Sequence, residues 1–237
     1  MKERPNWQWD EYKHAGTDFG DPAEVSKYEA RHLSFRNIPT ENANIMNCIG
    51  LEKTHTVIDM GAGTGFFAIE AARHCGKVHM VDVSEAMLDY ARKKAKKEGL
   101  INIEFHHGGF LTYEHEGEPA DAAVSAAALH HLPDFWKYVG LKRLANSMKP
   151  GGKLFLMDVI FSFAPTEYAQ ALGGHIKATA ESMGQEFADG FIGHFRDEFS
   201  TFDWVMEGLL DRAGFRIDSS NYYNSVVAYY VCTKAGE

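Results

Sequence analysis

The 237-residue chain is long enough for one domain with one sizeable core and room for an elaboration or two. With 45% hydrophobic and 24% charged residues it excludes extensive disorder, and its net charge of −9 argues against a phosphate-driven, non-specific grip on nucleic acid. The opening MKERPNWQWDEYKH is charged without an apolar core segment, and no run approaches the roughly 18 apolar residues of a membrane span. Cys48, Cys75 and Cys232 lie far apart with no C-x-x-C pair, so free thiols in a cytoplasmic protein are expected.

Residues 1–39 hold Trp7, Trp9, Tyr12, Phe19, Tyr28 and Phe35 with weak periodicity, and read as an N-terminal cap ahead of a main domain over 40–237. From Thr56 to Ile160 short apolar runs alternate with amphipathic stretches, the pattern of a parallel sheet with covering helices in an α/β fold. TVIDM (56–60) predicts a buried strand, and GFFAIEAARHC (65–75) a helix. KVHMVDV (77–83) is a second strand, followed by a helix with Ser84 as N-cap and Gly99 as its stop. In that helix the basic run RKKAKK (92–97) complements the dipole at its end, while Leu88, Ala91 and Ala95 keep a buried stripe. Strands at 102–108, 121–128 and 153–161 follow, the last two separated by a helix from Asp134 that is closed by Lys149-Pro150-Gly151-Gly152. Residues 162–199 form an insert of two or three short helices separated by glycines, expected to act as a lid. Ser200 and Asp203 have capping-box spacing before a helix ending at Gly214, and FRIDSS and SVVAYYVCTK are two closing strands.

The stretch VIDMGAGTGFFAIEAA places glycines at 61, 63 and 65 between a strand and a helix, where bare N–H groups and a close backbone suit a nucleotide-like ligand. The dinucleotide fingerprint wants its third glycine where Phe66 stands. Asp82, at the carboxyl end of the second strand and 17 residues beyond Gly65, is placed to accept hydrogen bonds from ribose hydroxyls.

VIDMGAGTGFFA, VHMVDVSEAML, ADAAVSAAALHHLPD and MKPGGKLFLMDV, in this order, resemble the class I S-adenosylmethionine-dependent methyltransferases, most closely the small-molecule branch of the ubiquinone and menaquinone biosynthesis type. The resemblance covers 56–161 closely and 200–234 more loosely. It implies a Rossmann-like seven-stranded sheet with an antiparallel last strand. It also implies S-adenosylmethionine as cofactor, with Asp59, Gly61, Ala62, Gly63 and Gly65 around its methionine part and Asp82 on the ribose. Val83, Met87, Gly109 and Phe110 would lie near the adenine, and Ser125 and Ala126 near the methyl group. The chain departs from the family at Gly109, where an aspartate usually accepts from the adenine amine.

Methyl transfer from a sulfonium is an in-line displacement in which the protein chiefly positions the partners and excludes water. The loop after the fourth strand, Ser125 to His131, lacks the Asn/Asp-Pro-Pro-aromatic stretch of amino-methylating adenine enzymes, and no cysteine adjoins a proline as a pyrimidine nucleophile would. A small organic acceptor remains. His130 and His131 are the weak candidates for proton handling, with loop packing as the plainer reading. His106 and His107 alternate faces of a strand, and no metal is expected. Tyr12, Tyr28, Arg31, His131 and Arg196 are the acceptor-contact candidates, each with ordinary packing or a surface ion pair as its plain alternative. Two other readings stay open: a relative that uses the cofactor without methylating, and a non-catalytic protein that binds it.

Overall fold

The computed structural model describes residues 5–13 and 21–236. Phe19 of the aromatic N-terminal group, and the outer ends of the 1–39 and 40–237 segments, lie outside the described residues.

Seven strands form one continuous sheet in the order β3-β2-β1-β4-β5-β8-β7. They are β1 (Thr56–Met60), β2 (Lys77–Asp82), β3 (Ile103–His107), β4 (Ala120–Ala126), β5 (Met148–Phe161), β7 (Phe215–Tyr223) and β8 (Val227–Lys234). The two-residue strand β6 (Thr201–Phe202) pairs parallel with the end of β5. β1 to β5 are mutually parallel, and β8 runs antiparallel between β5 and β7. The expected doubly covered sheet with a reversed last strand is therefore present. The reversal follows from a tight hairpin: Asn224 and Ser225 take φ of 49° and 57°, the left-handed pair that matches strand twist.

Alternation along the central strands feeds two cores. Ile58 and Met60 of β1 join Val81, Ala123 and Leu154 on one face. Val57 joins Val78, Met80, Ala122 and Val124 on the other. Over the first face pack α5 (Asp134–Asn146) and α8 (Asp203–Ala213). Over the second pack α2 (Ile38–Cys48), α3 (Phe66–Ala71) and α4 (Glu85–Lys97). In α4, Ser84 Oγ accepts from Met87 N–H at 3.1 Å, and Leu88, Ala91 and Ala95 are buried, as the sequence predicts. The basic run is a mixed case. Arg92 pairs with Glu85 and Asp89 on its own helix, while Lys94 reaches Glu29 of α1 (Pro22–Phe35) at 2.6 Å.

Three local expectations change. The insert holds two long helices, α6 (Tyr168–Met183) and α7 (Gln185–Asp197), because Gly173, Gly174, Gly190 and Gly193 are accommodated within them and only Gly184 (φ 98°) breaks the run. β5 begins at Met148, so Lys149-Pro150-Gly151-Gly152 belongs to the strand. The capping box at Ser200 does not form: the N-cap of α8 is Phe202, and Ser200 Oγ bonds His194 Nε2 at 2.8 Å instead. No described helix is long and apolar enough to cross a membrane.

Candidate functional site

The crevice lies at the carboxyl ends of β1, β2 and β4, where open parallel sheets bind ligands. Leaving β1, Gly61 and Ala62 donate their N–H groups to Val81 O at 2.9 and 3.0 Å, which fixes the loop against the end of β2. A Cβ on Gly61 would stand 2.3 Å from Ala128 Cβ, so only glycine lets the loop after β4 close onto this turn. That second loop carries its own constraint, since Ala127 has φ 55° and its N–H donates to Met157 O at 2.8 Å.

Asp82 is buried at the tip of β2, accepting from Gly63 N–H at 2.7 Å and Ser84 N–H at 2.8 Å. Asp59 is buried near the end of β1, two residues before Gly61. Burial, and then the charge of Asp82, push its carboxyl up to about 7. Thr64 Oγ1 and Ser125 Oγ are both buried and make no hydrogen bond among the described residues. Buried hydroxyls without a partner beside a poised carboxylate fit a polar ligand that brings its own donors and acceptors. Thr64 was not singled out by the sequence, although it sits between two of the loop glycines.

Along the β3 side, Val83 flanks Gly109, while Met87 and Phe110 are buried. Phe110 packs on α5, where a Cβ on Gly140 would meet it at 2.7 Å, so its ring belongs to the core. At Gly109 a Cβ would lie 2.6 Å from Glu11 Oε2. This carboxylate arrives from the N-terminal segment, accepting from Leu111 N–H at 2.9 Å and Thr112 Oγ1 at 2.6 Å. An acidic group thus stands beside the position where the chain itself lacks one. Burial raises the Glu11 pKa, against the hydrogen bonds from Thr112 and Leu111.

The acceptor candidates separate. Tyr28 and Arg31 of α1 line a cavity of about 410 Å³ with Glu24, Lys27, Glu186 and Phe187, between α1 and α7. Tyr28 Oη lies 3.9 Å from where a Gly63 Cβ would be, so the cavity abuts the glycine loop. Tyr12 is elsewhere, with its hydroxyl 3.1 Å from Thr112 Oγ1 and its ring edge-on to His107 beside β3. Arg196 is on the surface, paired with the adjacent Asp197.

His130 and His131 sit in a short 3-10 turn, Leu129–His131. His130 Nδ1 is 2.5 Å from Asp158 Oδ1 of β5, and its N–H at the backbone donates to Asp158 Oδ2 at 3.1 Å. Burial works to lower the His130 pKa, but Asp158 and Glu198 raise it above the usual histidine value. Burial, and then His130, hold His131 at about 4, so it is neutral at pH 7. Glu198 comes from the end of the insert. It is delivered there by Phe199, whose N–H donates to His130 O at 2.9 Å and whose carbonyl takes the buried Lys137 ammonium. Glu198, His194 and Asp158 escape the sequence reading. The H-x-x-x-E spacing of His194 and Glu198, one face of a helix, was the available signal.

Residues 57–152 match a family described as a methyltransferase domain. A demethylmenaquinone methyltransferase of Lactococcus lactis is 27% identical over 211 residues, covering 86% of this chain and 82% of that protein. The ubiquinone/menaquinone biosynthesis C-methyltransferase UbiE of Haemophilus ducreyi is 26% identical over 194 residues, 76% of this chain and 70% of that one. A solved SAM-dependent methyltransferase from Aquifex aeolicus shares the fold with TM-score 0.64 at 20% identity, covering 91% of this chain and 99% of that chain. The sheet has the fold of a solved S-adenosylmethionine-dependent methyltransferase, and its central strands carry the match to a methyltransferase domain, with the crevice at their carboxyl ends.

Proposed function

We propose that the chain methylates a small, flat, aromatic or quinol-like acceptor that enters between α1 and α7. The observation that carries this is the cavity of about 410 Å³, which shares Tyr28 with the glycine loop and sets Phe187 opposite it. The names of the quinone-pathway relatives support the acceptor class. Helix α1 of the cap (1–39) and helix α7 of the insert (162–199) form the two sides of this entrance, the insert acting as its lid. Free Cys48, Cys75 and Cys232 suit a cytoplasmic setting.

When bound, S-adenosylmethionine supplies a methyl group already activated on a sulfonium. The protein's part is to hold, orient and dry the site. In this reading Asp82 turns its carboxylate from the Gly63 and Ser84 amides toward the ribose hydroxyls. Asp59 faces the methionine end, where Thr64 Oγ1 and Ser125 Oγ gain partners. Val83 and Met87 wall the base, with Glu11 as the acidic group beside Gly109. Ala126 and the strained Ala127 aim the β4 loop at the methyl group.

Incubation with methyl-deuterated S-adenosylmethionine and a panel of hydroquinones, catechols and small amines, read by mass spectrometry, tests the proposal. A trideuteromethyl product from a hydroquinone or catechol is expected, falling when Phe187→Ala opens the cavity wall. Methylation confined to the amines, or none in the presence of bound cofactor, overturns the acceptor assignment.

A further inference from the structure

We propose that His130, His131 and Glu198 form a binding site for a divalent transition-metal ion at the acceptor end of the crevice. The ligand atoms of these three residues all lie within 4.8 Å of one another, a spacing one ion can bridge with bonds of roughly 2.0–2.2 Å. They come from two distant segments, the loop after β4 and the end of α7, which meet through the Phe199 and Lys137 contacts described above.

A second observation points to the ion. Glu198 Oε2 is buried and makes no well-directed hydrogen bond among the described residues. Yet it lies 3.2 Å from His130 Nε2 and in contact with His194 Nδ1. The carboxylate oxygen thus keeps lone pairs that an ion shared with the His130 and His131 rings would take.

The far side of the His130 ring is held as a metal-binding imidazole usually is. Its Nδ1 is on the Asp158 carboxylate at 2.5 Å, while the neighbouring His194, outside the ligand set, keeps its Nε2 on Ser200 Oγ at 2.8 Å. This gives Ser200 a role in place of the cap it does not form.

A comparison inside the molecule sharpens the choice. His79, Glu104 and His106 also cluster, but His79 Nδ1 and His106 Nε2 bond each other at 3.0 Å and Glu104 takes Lys77 at 2.7 Å. That group is satisfied within itself and needs no ion.

Two imidazoles and one carboxylate select a borderline ion such as zinc, cobalt or iron(II) over magnesium or calcium, and three protein ligands leave a position open. The site follows directly on Ala128, which abuts Gly61, and so adjoins the crevice. There it would bind an acceptor oxygen and make its proton easier to lose. That use rests on the methyltransferase reading, whereas ion binding does not.

Chelator-treated full-length protein is titrated with Co(II) and with Zn(II) alone, by calorimetry and by the visible absorption of the cobalt form. One ion per chain is expected, with a cobalt absorption band, a raised Tm and loss of roughly 10-fold or more in affinity in Glu198→Gln and His131→Ala. His106→Ala should bind as the parent does. Circular dichroism establishes that each variant is folded. His131 lies on the turn with no side-chain hydrogen bond to lose among those described, so it serves as the milder variant. The proposal is overturned if the parent binds neither ion at micromolar concentrations, if folded Glu198→Gln and His131→Ala keep parental affinity, or if only His106→Ala loses the ion. S-adenosylhomocysteine binding, measured separately, reports on the cofactor site and distinguishes a failure there from a failure here.

Discussion

Asp59 and Asp82 are two buried carboxylates at neighbouring strand ends, and burial, then the charge of Asp82, raises the Asp59 pKa. Since the folded pKa of Asp59 is raised to about 7, its contribution to stability is complete below about pH 4 and fades as pH rises through 7. Asp59→Asn should therefore flatten the decline in Tm between pH 5 and 8. A cationic ligand group beside Asp59 prefers the ionised form. S-adenosylmethionine affinity is then expected to rise with pH up to about 7 and level off above it, with proton uptake by buffer seen in calorimetry. A flat profile from pH 5.5 to 8 would remove Asp59 from the methionine end. These two residues were legible because their meaning is local: a carboxylate at the end of a strand next to glycines. Glu11, His194 and Glu198 were not legible. Each acts across about a hundred or some sixty residues of chain, against Gly109 or against His130, and nothing in their own neighbourhoods announces that partner.

Among the elements, α1 brings Tyr28 and Arg31 to the cavity, and its attachment to the sheet runs through Glu29 and Lys94 of α4, 2.6 Å apart. Glu29 is nearly buried, whereas Lys94 is partly exposed and also over the Phe66 ring at 4.9 Å. Lys94→Met leaves the Glu29 carboxylate buried without its cation. A loss of about 1–3 kcal/mol by denaturant titration is expected, the lower half being favoured by solvent screening, together with faster proteolysis within α1. Unchanged stability and cleavage would mean that aromatic packing alone holds α1. The strands and α4 could be read because period-two and period-3.6 patterns belong to each segment alone. The glycines of α6 and α7 misled, because helices packed on each other through His175, Phe191 and Phe195, and on Phe161 through Phe195, tolerate glycine positions that propensity disfavours. Ser200 misled for another reason: its hydroxyl had a tertiary partner in His194 that outweighed a local cap.

At the scale of the molecule, the order β3-β2-β1-β4-β5 puts β2 and β3 on one side of β1 and β4 and β5 on the other, and that reversal opens the crevice between β1 and β4. The alternating strand–helix rhythm makes this topology readable, since parallel strands need crossovers and crossovers of this length are helices. Where the N-terminal segment and the insert settle is set by tertiary contacts such as Trp9 on Phe199 and Phe35 on Phe187, which no periodicity encodes. The central claim is that this crevice binds an adenosyl sulfonium with Asp82 on the ribose. Calorimetric titration of the purified protein with S-adenosylmethionine, S-adenosylhomocysteine and NADH, repeated on Asp82→Ala, tests it most directly. The account predicts micromolar binding of both adenosyl ligands and none of NADH, weakened roughly 10- to 100-fold in the variant. Adenosyl binding that is absent, or that is untouched by Asp82→Ala, would contradict it.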